Sequence, residues 1–297
     1  MKNESTRCGF VGIVGRPNVG KSTLLNALLK KKLVITSKKA QTTRHSILGI
    51  KTQDNAQTIF VDTPGFREKT PGALHRYLNQ KARSVVHDVD VLMLVVDADR
   101  WTADDEAAFS LLKHVKKPVF LLLNQIDKLK NRNELLPLTQ KYLEKYPFAE
   151  VIPVSALKEL NLDDLQKTIE LYLPESEFMY EEDQLTDRTD YFVICELIRE
   201  KLMRFLGKEV PYSIAVEVES MEKREGFEHV SAIIWVERKG QKAIVIGQDG
   251  ENLKRVGTEA RQDIEKMLER KIHLNLWVKV KEDWASNDRL LKQFGYE

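Results

Sequence analysis

The chain has 297 residues, 42% hydrophobic and 31% charged, enough for about two packed domains and unlike a disordered or collagenous composition. A net charge of +2 names no partner by itself, so any basic surface has to be local. The polar start MKNESTRCGF lacks the apolar stretch of a secretory leader, and no run nears the ~18 apolar residues of a membrane span, which points to the cytoplasm.

From Phe10 to about Leu173, short apolar runs alternate with amphipathic stretches. GFVGIV, TIFVD, VLMLVVDA, PVFLLLN and EVIPVSA read as strands; STLLNALLKK, ALHRYLNQKARSVV, ADDEAAFSLLKHV, ELLPLTQKYLEKY and LDDLQKTIELYL read as helices. Continuous apolar strands separated by helices predict a mostly parallel sheet covered on both faces, an α/β three-layer domain over 1–173 with ligands at the carboxyl ends of the strands. The acidic stretch 174–190 breaks the pattern and reads as a linker. Beyond it, 191–297 changes to the order α-β-β-α-α-β, a separate α+β domain with a C-terminal tail, in which EKREG turns a hairpin. Cys8 and Cys195 lack metal-ligand spacing and read as reduced thiols.

Residues 15–22 read GRPNVGKS, a match to G-x-x-x-x-G-K-[ST] placed after a strand and before a helix, as that motif requires. Backbone N–H groups along Asn18, Val19, Gly20, Lys21, Ser22 and Thr23 would surround phosphate oxygens, with Lys21 on the terminal phosphates and the Ser22 hydroxyl on Mg²⁺. The next strand ends in Asp62-Thr63-Pro64-Gly65, where Asp62 can hold Mg²⁺ and the Gly65 N–H can sense a γ-phosphate. Between them, TSKKAQTTRHS is too long and polar for a simple turn. Either Thr42 or Thr43 would complete the Mg²⁺ shell there, with Thr43 preferred. Lys21, Thr43, Asp62 and Gly65 are thus the candidates for hydrolysis.

Residues 124–127 read NQID where a guanine-reading loop usually carries Asn-Lys-x-Asp. Asp127 can accept from guanine N1–H and its exocyclic amine; adenine would leave that carboxylate unpaired. Asn124 would tie the loop to the phosphate cradle, and Ser155-Ala156 would bring a backbone N–H to guanine O6. Gln125 keeps a donor but loses the charge and the longer stem, which predicts preserved guanine selectivity and weaker affinity. Phe66 follows Gly65 where many GTPases carry a glutamine. It cannot hold the attacking water, so slow hydrolysis is expected, with Asn18 helping to bind K⁺.

Ile246-Gly247-Gln248-Asp249-Gly250, followed by Lys254 and Arg255, places G-x-x-G between two helices behind a hairpin, as in KH modules that clamp about four single-stranded nucleotides. From Glu237 to Lys281 there are eleven Lys/Arg and seven Asp/Glu, a local excess of positive charge. Asp249 is the mild objection.

Taken together, GRPNVGKST, QTTR, DTPG, VSA, EVPYSIAVEVES and VIGQDGENLKRVG make the whole chain similar to the Era family of GTPases, with Gln125 as the departure. The resemblance implies a GTP/GDP switch with a type II KH domain that binds the 3′ end of 16S rRNA and assists maturation of the small ribosomal subunit. It further implies a monomer that does not bind DNA, and peripheral contact with the cytoplasmic face of the inner membrane. The alternatives are an RNA-binding assembly scaffold with a weakened nucleotide site, and a metabolite kinase that would leave NQID, VSA and the second domain unexplained.

Overall fold

A computed structural model describes residues 5–37, 39, 42–68, 72–131, 133, 135–207 and 210–296. Lys38, Ala40 and Gln41 of the loop before Thr42, residues 69–71 after the D-T-P-G turn, and Glu209 of the EVPYS stretch lie outside the described residues. The chain divides into two compact units: Met1–Val34, Thr43–Thr70 and Leu78–Asp187 form one, and Ile35–Thr42, Pro71–Tyr77 and Arg188–Glu297 the other.

The first unit is built on a six-stranded sheet in the order β2-β3-β1-β4-β5-β6. Its strands are β1 (Arg7–Val14), β2 (Ile47–Gln53), β3 (Ala56–Asp62), β4 (Val91–Asp97), β5 (Val119–Asn124) and β6 (Glu150–Pro153). Every neighbouring pair is parallel except β2 with β3. Every residue of β4 and β5 is buried, as expected where helices cover both faces of a parallel sheet. The helices are α1 (Lys21–Leu29), α2 (Ala73–Asp88), α3 (Ala103–Phe109), α4 (Leu135–Leu143) and α5 (Leu162–Tyr172).

The stretch read as a linker lies along the β2/β3 edge. The Gln57 side chain accepts from the Met179 and Tyr180 N–H groups at 2.8 and 3.0 Å, and the Ile50 N–H donates to the Leu185 carbonyl at 2.8 Å. Phe178 and Tyr180 pack against Cys8, Ile50 and Ile59.

The second unit follows the α-β-β-α-α-β order: α6 (Asp190–Phe205), β7 (Ile214–Arg224), β8 (Phe227–Val236), α7 (Lys239–Ile246), α8 (Glu251–Leu268) and β9 (Ile272–Val280), closed by α9 (Asp288–Gln293). The hairpin turns at Glu225-Gly226, where Gly226 has φ 78, so β7 runs three residues past the predicted SIAVEVESM. β8 pairs antiparallel with β7 and parallel with β9. Val256, Ala260 and Ile264, four residues apart on α8, meet Ile194 and Ile198 of α6 and the alternate residues Val230, Ala232 and Ile234 of β8. Among the described residues, no helix is long and apolar enough to cross a membrane.

Candidate nucleotide site and nucleic-acid interface

The phosphate loop joins β1 to α1, and two glycines in and beside it are dictated by space. Gly20 has φ 98, and a Cβ there would sit 2.4 Å from Asn124 Nδ2; at Gly65 a Cβ would lie 2.6 Å from the Pro17 nitrogen. The D-T-P-G turn therefore touches the phosphate loop only because Gly65 has no side chain. Arg16 anchors the loop from outside: its Nε donates to Asp105 Oδ2 at 2.8 Å, and Asp105 also caps the first turn of α3 from Thr102.

Lys21 is buried and donates from Nζ to the Gly15 and Arg16 carbonyls at 3.0 and 2.9 Å. Burial pushes its pKa down to about 8, with the Asp62 carboxylate opposing. Asp62, fully buried, is pushed up to about 6 by desolvation, against the pull of the Lys21 charge. Three hard oxygens meet here. Ser22 Oγ lies 2.7 Å from Thr43 Oγ1 and 2.9 Å from Asp62 Oδ2, and Thr43 Oγ1 lies 3.4 Å from the same oxygen.

Asp62 Oδ1 is buried and meets no hydrogen-bond donor among the described residues. That orphaned oxygen, beside two hydroxyls and a buried lysine, fits a small divalent cation such as Mg²⁺. The geometry also separates the two threonines. Thr43 joins the cluster, whereas the Thr42 hydroxyl donates to the Lys39 carbonyl at 2.7 Å.

Phe66 is turned into the core: it is 1% exposed, packs among Val14, Val61 and Val86, and has the Arg83 guanidinium 5.3 Å above its ring.

At the base-reading end, Asn124 Nδ2 donates to the Val19 carbonyl at 2.7 Å, while its Oδ1 accepts from the Ala156 N–H at 3.0 Å. One buried amide thus ties the phosphate loop to the Ser155-Ala156 turn, and the N–H predicted for guanine O6 is here engaged by Asn124. Ser155 Oγ donates to Asp127 Oδ1 at 2.5 Å, and Asp127 is otherwise exposed. Gln125, left-handed at φ 68, extends Nε2 to the Asn18 carbonyl at 3.4 Å.

In the second unit, the G-x-x-G loop joins α7 to α8. Gly247 (φ 76) and Gly250 (φ 79) both have positive φ, and a Cβ at Gly247 would meet Asn252 at 2.8 Å. A Cβ on Gly250 would meet nothing within 4 Å, which leaves that face open for another backbone. Gln248 and Asp249 are exposed at the tip, beside half-buried Ile246.

A groove of about 450 Å³ runs from Gly250 between α8 and β9, lined by Lys254, Thr258, Arg261, His273 and Asn275 among others. Lys254 faces it; Arg255 does not, lying instead 4.0 Å from the Phe205 ring centre. Thr258, Arg261, His273 and Asn275 were not among the sequence candidates. The signal was available: 254, 258 and 261 share one helix face, and His273 and Asn275 alternate along the edge strand.

A phosphate loop, a D-T-P-G turn, and a Ser-Ala turn tied to the NQID loop, followed by a G-x-x-G module, define a P-loop GTPase carrying a KH domain. Family comparisons agree: residues 10–125 match the 50S ribosome-binding GTPase family and residues 209–285 match the KH domain family. GTPase Era of Marinobacter nauticus is 54% identical over 294 residues, 99% of this chain and 96% of that protein. Two solved structures superpose with TM-scores of 0.93, each covering 98% of this chain and 99% of theirs. They are a variant of Aquifex aeolicus Era bound to GDP·AlF4⁻ (39% identical) and Era with MgGDPNP and nucleotides 1506–1542 of 16S ribosomal RNA (40% identical). The chain belongs to the Era family of GTPases and is a GTP-hydrolysing enzyme that binds guanine nucleotide.

Proposed function

We propose that this chain is a slowly hydrolysing GTP switch that binds the 3′ end of 16S rRNA through its KH groove and assists maturation of the small ribosomal subunit. The observation that carries the switch is the Ser22–Thr43–Asp62 oxygen cluster with its orphaned Asp62 oxygen. Nucleotide bound with Mg²⁺ would complete that cluster, Mg²⁺ supplying positive charge to the β- and γ-phosphates. Ser22, Thr43 and Asp62 would hold the metal, and Lys21, now on the Gly15 and Arg16 carbonyls, would turn to phosphate oxygens, where the charged ammonium would again be favoured. The Gly65 N–H reports the γ-phosphate.

Asn124, Gln125, Asp127, Ser155 and Ala156 form the guanine end, and Val19, Gly20 and Thr23 the phosphate cradle. With Phe66 buried, no side chain at that position orients water, so turnover is low. Asn18 contributes to a potassium site, and faster hydrolysis in potassium than in sodium is the expected sign.

The relative bound to nucleotides 1506–1542 supports the RNA assignment, and its 16S RNA supports the small subunit over the 50S of the broader family description. The working units are the GTPase unit, which takes in 174–187, and the KH unit over 188–297, in a monomer located in the cytoplasm, with peripheral contact at the inner membrane implied by family alone. Ile246, Gly247, Gln248, Asp249 and Gly250 clamp the RNA backbone while Lys254 faces it; Arg255 acts from the flank.

The test is binding of a 3′-terminal 16S oligonucleotide and of GDP to the full chain and to Gly247→Asp with Gly250→Asp. Loss of RNA affinity by at least about tenfold, with GDP affinity unchanged, is expected from placing carboxylates against phosphates. Retained RNA affinity would remove the KH groove from the account.

A further inference from the structure

The missing lysine at position 125 is replaced by a pair. Gln125 precedes a short 3-10 turn, Ile126–Lys128, closed by the Lys128 N–H donating to the Gln125 carbonyl at 2.9 Å. The turn brings the Lys128 side chain back to Gln125, and its ammonium donates to Gln125 Oε1. At the other end of the same amide, Nε2 reaches the Asn18 carbonyl of the phosphate loop at 3.4 Å.

An isolated glutamine amide can present either end to its surroundings. Here each neighbour accepts only one orientation: a carbonyl takes only the N–H end, and an ammonium pairs only with the oxygen. The two contacts fix the amide with its donors toward the phosphate loop. The ammonium also polarises the amide and strengthens the N–H it presents. A lysine at 125 would bring a donor to the Asn18 carbonyl and a positive charge to the nucleoside end of the site. Gln125 supplies the donor and Lys128 the charge.

We propose that Lys128 is a positioning residue for guanine nucleotide in this chain, orienting Gln125 and supplying the charge that the NQID loop lacks. The inference rests on the GTP-binding reading above. It also explains how the loop tolerates glutamine without losing its tie to Asn18.

The test is calorimetric titration of GDP with Mg²⁺ into the full chain and into Lys128→Gln, Lys128→Arg, Gln125→Lys and the Gln125→Lys/Lys128→Gln double variant, at low and high salt. Position 128 is exposed, so urea midpoints should not move. In the native background Lys128→Gln should weaken GDP about fivefold at low salt and less at high salt, and Lys128→Arg should restore most of it. In the Gln125→Lys background the same change should be neutral or favourable, because Lys128 is then a like charge beside another ammonium.

A structural role for Lys128 would give the same penalty in both backgrounds, and that result, or no penalty in the native chain, overturns the proposal. If Gln125→Lys also fails to bind GDP, the nucleotide reading itself falls; if it binds while native Lys128→Gln is silent, only the pairing falls.

Discussion

Thr42 and Thr43 are adjacent, share a side chain, and are indistinguishable by motif, yet the structure gives them different work. The Thr43 hydroxyl closes the triangle with Ser22 and Asp62, whereas the Thr42 hydroxyl caps the Lys39 carbonyl. Thr43→Ala should therefore weaken Mg²⁺-dependent binding of a GTP analogue about tenfold, the loss of one metal ligand, and leave GDP within about twofold. Thr42→Ala should leave both unchanged. Titrations with and without EDTA would check this, and equal effects at the two positions would remove Thr43 from the metal shell.

Other residue roles were legible in advance because they follow from bonding capacity. An aromatic ring cannot hold water, so Phe66 had to turn inward, and it is buried. Asn124 makes its expected tie to the phosphate loop at the Val19 carbonyl, whereas the Ala156 N–H, expected to face guanine O6, donates to its Oδ1. Arg255 was not legible: a basic residue beside G-x-x-G faces RNA or packs on a neighbour according to which side of α8 it occupies, and here it lies over Phe205.

At the scale of elements, strands with continuous apolar runs declared themselves, but β2 did not. ILGIKTQ is an edge strand of mixed polarity, and its signal is the Asp54-Asn55 turn, with Asp54 at φ 50, that folds it antiparallel onto β3. Helix α6 was legible as a helix and misleading as a surface. Its polar residues Glu196, Arg199, Glu200 and Lys201 are all buried: Arg199 and Glu200 meet the 35–42 segment, and Lys201 pairs with Asp263 of α8.

Glu200 accepts from the Thr36 N–H at 3.0 Å. Arg199 forks onto both Glu196 oxygens at 2.7 and 2.6 Å and donates to the Thr42 carbonyl. No periodicity in residues 190–205 could announce that a loop some 160 positions earlier covers them. Removing the guanidinium would leave Glu196 buried without its fork. Arg199→Ala should thus cost about 3–5 kcal/mol in urea unfolding of the second unit, monitored at Trp284. A cost below about 1 kcal/mol would mean the pair behaves like an exposed surface bridge.

Over the whole molecule, two folds were predictable because each has its own hydrophobic rhythm, but the path of the chain between them was not. The chain passes from the second unit to the first at the Thr42–Thr43 peptide bond. Arg199 holds the residue on one side of that bond, and the Ser22 and Asp62 side chains hold the residue on the other. If nucleotide with Mg²⁺ engages Thr43, the restraint on the neighbouring 35–42 segment, which bonds Glu200 and Arg199 of α6, should change with it.

Coupling of this kind is reciprocal: if a GTP analogue tightens the 3′-terminal RNA relative to GDP, RNA must tighten the analogue by the same factor. A factor of about tenfold is expected, within the usual range for two linked sites. It should collapse toward one in Thr43→Ala, whose KH groove is untouched, while RNA affinity in the GDP state stays at the native value. Measuring the four dissociation constants of the native cycle, and the same four in Thr43→Ala, checks this. An RNA affinity that ignores nucleotide in the native chain would leave the GTPase domain as a scaffold for RNA binding, whatever its hydrolysis rate.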